Sequence, residues 1–92
     1  MAWGTPVEVE RRRRVRVAAW AYAYEVLGEQ LATDAEFDRE CALVDVSVRT
    51  GRDDLDAWFA LEFEPYTGSW VHRHPEQDRL RDLCLRLLGR AR

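Results

Sequence analysis

The sequence predicts an all-α fold, or nearly so: a compact bundle of four helices with one extended connection near residues 69–74. Three observations carry this. Nearly all apolar residues recur at helical spacing. Two segments open with the same capping box, a threonine followed three residues later by a glutamate: Thr5 with Glu8, and Thr33 with Glu36. The one short alternating run, DVSVRTG at 45–51, has no second run to pair with, so it reads as an extended connection ending at Gly51. At 92 residues the chain forms a single domain, 1–92, with a modest core.

The first helix starts at Thr5-Pro6, since proline suits the first helical position, and should run to about Leu27 with Gly28 as its C-cap. At 100° per residue, Val15, Ala18, Ala19, Tyr22 and Val26 fall on one stripe, the expected core face. Val17, Trp20 and Tyr24 fall on the other side and need cover from the chain, a partner or a ligand. The second helix opens at Thr33 and turns Phe37, Cys41 and Val44, with Val48 beyond, inward. The third spans 53–63 with Leu55, Trp58, Phe59 and Phe63 inward. Pro65 to Gly68 is a turn. Ser69 to His74 is expected to be extended and anchored by Trp70. Pro75-Glu76 then begins a last helix with Leu80, Leu83, Cys84, Leu87 and Leu88 on one stripe and a basic end.

All 14 basic residues are arginine and there is no lysine. That excludes a nucleophilic or Schiff-base lysine and a phosphate-loop lysine. No apolar run approaches the ~20 residues of a membrane span, and MAWGTPVEVERRRR lacks a signal-peptide core. A cytoplasmic location is therefore expected, with Cys41 and Cys84 reduced and buried. The net charge of −3 is unevenly laid out: +2 over residues 1–28, −8 over 29–64 and +3 over 65–92. An acidic middle between basic ends either closes on itself or faces a basic partner.

His72 and His74 would share one side of an extended segment, but no third or fourth ligand stands at metal-site spacing, so no metal is expected. Arg11 to Arg14 and Arg16 spread around their helix instead of forming one stripe; they read as a solvated, salt-bridged surface and not as a nucleic-acid interface. Asp53, Asp54 and Asp56 sit at a helix start, where carboxylates suit the helix dipole. No nucleophile accompanies them, and the chain is expected not to be an enzyme.

Residues 20–38, WAYAYEVLGEQLATDAEFD, carry the sharpest signal. An aromatic-faced helix is followed by a capped helix whose first turn sets Asp34 and Asp38 around Phe37. In spacing and residue type this segment resembles, without a gap, the N-terminal helical Ia segment of NAD-dependent bacterial DNA ligases. The whole chain also resembles small phage-type, ligase-related proteins. The resemblance implies a helical fold in which Trp20, Tyr24, Glu25, Asp34, Phe37 and Asp38 surround nicotinamide mononucleotide (NMN). It departs where Glu25 replaces a histidine, where Phe37 replaces a tyrosine, and where the loop lacks a proline. It covers 19 of 92 residues and none of the nucleotidyltransferase core.

Two functions follow. The first is a small non-catalytic interaction or regulatory protein, encoded by a phage or mobile element, that occupies a basic site on a host protein through its acidic surface. The alternative is a binding module for a nicotinamide nucleotide, NMN or NAD, between Tyr24 and Phe37, with Trp20 as a lid. Neither requires a cofactor, and the unpartnered aromatic stripe allows a homodimer.

Overall fold

The computed structural model describes residues 4–89, so the basic Arg90 and Arg92 lie outside it. Helix α1 (Pro6–Glu25) is the axis on which most of the other elements pack. Thr5 Oγ1 accepts the Glu8 N–H at 3.2 Å, and Pro6 occupies the first turn. The helix ends near Glu25, two residues before the expected Leu27, and the chain turns through Gly28 at φ +68°. The glycine permits that turn, which lets the Glu29 N–H reach the Ala23 carbonyl at 2.9 Å. Around α1 stand α2 (Asp34–Leu43), α3 (Asp53–Glu62), a 3-10 helix (Ser69–Arg73) and α4 (Gln77–Leu87). The fold is all-α, and no strand occurs among the described residues. The Cα radius of gyration is 12.8 Å, close to the ~12 Å expected of a packed domain this long.

The core face of α1 departs from the single-stripe reading. Val15 and Val26 are 48% and 40% exposed, whereas Val17 is fully buried. Ala18, Ala19, Ala21, Tyr22 and Ala23 are buried with it. A helix with neighbours on several sides has no single apolar stripe. The run of alanines lets those neighbours come close: Cys84 Sγ on α4 donates to the Ala19 carbonyl at 3.0 Å. On α4, Leu80 and Cys84 are buried and Leu83 packs on the core, but Leu87, placed on the core stripe by its spacing, is 56% exposed. On α2, Cys41 is buried while Phe37 and Val44 pack partly against the core, as the spacing predicts.

Residues 69–74 are not extended. Ser69–Arg73 winds into a 3-10 helix that drives Trp70 and Val71 into the core. Trp70 is fully buried and donates its Nε1–H to the Thr67 carbonyl at 2.6 Å. Phe63 and Phe59 meet its ring at centroid distances of 5.0 and 5.9 Å. Three residues per turn send positions two apart in different directions. His74 is accordingly buried 4.8 Å from the Trp58 ring centroid, while His72 stays exposed beside Glu25.

One buried polar cluster ties α1 to the rest. Arg14, expected on a solvated surface, is 4% exposed, and Glu10 is 2% exposed. The Arg14 guanidinium donates to Glu10 at 2.8 Å, to Asp56 of α3 at 2.9 Å, and to the Asp45 and Val48 carbonyls at 2.7 and 2.9 Å. Burial pushes the Asp56 carboxyl upward, but hydrogen bonds from the Thr50 hydroxyl and N–H, with the charge of Arg14, outweigh it and hold the group below its usual range. Arg14 also lies 5.5 Å from the Phe59 ring centroid, so its cost of burial is met on several sides.

Candidate functional site

All six residues singled out by the sequence line one hollow of about 340 Å³. The last two turns of α1 supply Trp20, Tyr24 and Glu25, and the first turn of α2 supplies Asp34, Phe37 and Asp38. The turn at 65–68 adds Tyr66 as a third wall. Each wall has a local cause. The complete capping box, with the Glu36 N–H on Thr33 Oγ1 at 3.1 Å and the Thr33 N–H on Glu36 Oε1 at 2.9 Å, fixes the entry angle of α2. Glu25 is braced by His72, whose Nε2 stands 3.1 Å from its carboxylate. Gly68 lies so near α1 that an added Cβ would come within 3.3 Å of Ala21. The absence of a side chain there is what brings the turn up to the helix.

Electrostatically the hollow is one-sided. Glu25, Asp34 and Asp38 line it and no arginine does. Asp34 and Asp38 have no ion pair among the described residues. Tyr24 is 65% exposed and Tyr66 92% exposed, with Trp20 and Phe37 half-buried. None of these four rings stacks on another ring among the described residues. Phe37 has a double role, because it also packs against the core.

A second cleft, of about 380 Å³, lies between α1, α3 and α4 and was not signalled by any motif. Leu55, Leu80 and Leu83 floor it with Val15, and Arg11, Arg52, Arg79 and Arg86 stand around it. Its walls come from residues up to 75 positions apart, from Arg11 to Arg86, and only the fold unites them. Among the described residues no group of three or more His, Cys, Asp or Glu is placed to hold a metal ion. No described helix is long and apolar enough to cross a membrane.

Comparison with protein-family models, with curated proteins and with solved structures found no match for this chain.

Proposed function

We propose that this chain is a small non-catalytic interaction module that grips a cationic group on a basic partner protein, with the α1–α2 hollow as its grip. One observation carries the reading: exposed, unstacked tyrosine rings and three carboxylates line one hollow with no arginine among its walls. A guanidinium fits such a place. It stacks on an aromatic face for roughly 0.5 to 2 kcal/mol and takes a carboxylate in a charge-assisted pair. The surrounding segment 29–64, at −8, would steer a basic surface toward it. A regulator that occupies a basic site on another protein needs no more than this.

A nicotinamide nucleotide is the second reading, favoured because the six residues of the ligase-like segment line the same cavity. A pyridinium ring satisfies the same rings and acids, with its phosphate turned outward to solvent. The two readings separate by titrating the ¹⁵N-labelled protein with an arginine-rich peptide, with NMN and with NAD. The interaction reading expects peptide-induced shifts at 20–25 and 34–38 that Asp34→Ala weakens at least fivefold and that salt suppresses. Shifts with NMN alone would transfer the assignment to the nucleotide. Silence with all three at millimolar concentration removes both.

A further inference from the structure

The cleft between α1, α3 and α4 combines an apolar floor with a basic rim, and this pairing has a chemical meaning independent of the α1–α2 hollow. Val15, 48% exposed on α1, and half-buried Leu55 and Leu83 present hydrocarbon to the cleft, over the nearly buried Leu80. An isolated exposed valine is ordinary; here it belongs to a continuous concave lining. The cavity, at about 380 Å³, falls within the ~300–1,000 Å³ usual for small-molecule sites.

The rim is not uniformly available. Arg14 is wholly committed to Glu10, Asp56 and two carbonyls. Arg52 is bracketed by Asp54 and Glu76, each at 3.0 Å. Three arginines remain. Arg11 holds the exposed Glu8 at 3.3 Å as well as the Thr50 carbonyl, and Arg79 reaches Glu76 only at 3.4 Å. Arg86, at the C-terminal turn of α4, has no ion pair among the described residues. Against them the cleft sets Asp82, and Glu76, which Arg52 already engages. In a chain of net charge −3, this concavity is thus bordered by Arg79 and Arg86, whose partners are weak or absent, beside Arg11, which already holds Glu8 and the Thr50 carbonyl.

We infer that this cleft binds an amphipathic anion: a carboxylate on a single apolar chain of about ten carbons, a size suited to the lower end of the small-molecule range. The chain lies along Val15, Leu55, Leu80 and Leu83, and the head group takes hydrogen bonds from the arginines of α1 and α4. Arginine suits this role because its planar fork meets a carboxylate in two parallel bonds.

The test uses decanoate, below its micellar range, against ¹⁵N-labelled full chain. The expected result is saturable shifts at 15, 55, 80 and 83, with residues 20–25 and 34–38 unmoved. Decyltrimethylammonium, equal in chain length and opposite in charge, should bind at least tenfold more weakly. Arg79→Gln combined with Arg86→Gln changes two exposed positions of α4 and should weaken decanoate at least fivefold. Val15→Glu sets a carboxylate on the exposed floor and should abolish the shifts while circular dichroism stays that of the native chain. Phosphatidylglycerol vesicles test the alternative of a lipid leaflet: no sedimentation beside decanoate binding supports the free carboxylate, and sedimentation abolished by Val15→Glu overturns the single-chain carboxylate. Equal affinity for the cationic and anionic chains overturns the inference, as does decanoate binding unaffected by Val15→Glu. A dimer buried through these same residues that decanoate does not dissociate also overturns it.

Discussion

Arg14 shows how much one side chain can fasten. It bridges α1 to α3 and to the 45–48 connection, and each acceptor it serves is partly or wholly withdrawn from water. Arg14→Met keeps most of the apolar stem but leaves Asp56 without a counter-charge and Glu10 with only the longer contact to Arg13, at 3.3 Å. The expected loss is about 3–5 kcal/mol, a large share of the ~5–15 kcal/mol typical of a small domain, read as a lower urea midpoint. Arg14→Lys should recover only part of it, because an ammonium cannot span four acceptors. His74 offers a pH test. Burial lowers its pKa, opposed by the charge of Glu76, and its Nδ1 accepts the Glu76 N–H at 3.0 Å, which needs the neutral ring. A folded pKa below the unfolded value means the contribution is complete above about pH 6.5 and is lost as pH falls toward the folded pKa. The urea midpoint should therefore fall between pH 7.5 and 5 in the native chain and in His72→Gln. In His74→Gln it should stay nearly level across that range, from a lower start.

Among the elements, α2 depends most on its terminus. Cys41 is its one buried residue, so the capping box at Thr33 contributes a large part of its local stability. Thr33→Ala is expected to cost about 1 kcal/mol. Amide exchange over residues 37–41 should quicken about fivefold while α1 and α4 keep their protection. The capping box and the apolar spacing of α2 were legible from sequence because both are local. The two ends of α1 were also close to prediction, since Thr5-Pro6 and Gly28 are strong punctuation. Its burial pattern was not. The seam Glu10, Arg14, Val17, Ala21 runs along one side of the helix at three- and four-residue steps, and its first two members are charged. Counting charge as solvent hid that seam and misassigned Val17. The 3-10 helix escaped for another reason: Trp70 is packed among the Trp58 and Phe59 rings of α3, which is a tertiary fact. The hollow was foreseeable since its two main walls are adjacent helices in one 19-residue stretch; the cleft of α1, α3 and α4 was not, since it needs three separated ones.

Over the whole molecule part of the uneven charge is closed on itself. Arg16 and Arg13 pair with Glu40, Arg14 with Asp56, and Arg73 with Glu62, so basic ends close on the acidic middle. The carboxyls of Glu36, Asp45, Asp54, Asp56 and Glu76 lie below their ordinary values. For Glu36, Asp45 and Asp54 the principal cause is a hydrogen bond, from Thr33, Ser47 and Arg52 in turn, and Arg52 is also the main cause at Glu76. Depressed carboxylates stabilise the fold above their unfolded pKa of about 4 and release that contribution as pH falls through the folded values. Acid titration followed by circular dichroism should show a cooperative loss of helix below about pH 4. The two cysteines extend a different property to the whole surface. Cys41 and Cys84 are both sealed in the core, and burial with the nearby Asp38 and Glu40 pushes the Cys41 thiol up to about 12. The outside of the protein therefore carries no sulfur nucleophile, and the chain has no lysine amine. A cysteine installed in place of the almost fully exposed Tyr66 should take a maleimide fluorophore stoichiometrically on the native protein, reporting from the mouth of the hollow with no background labelling.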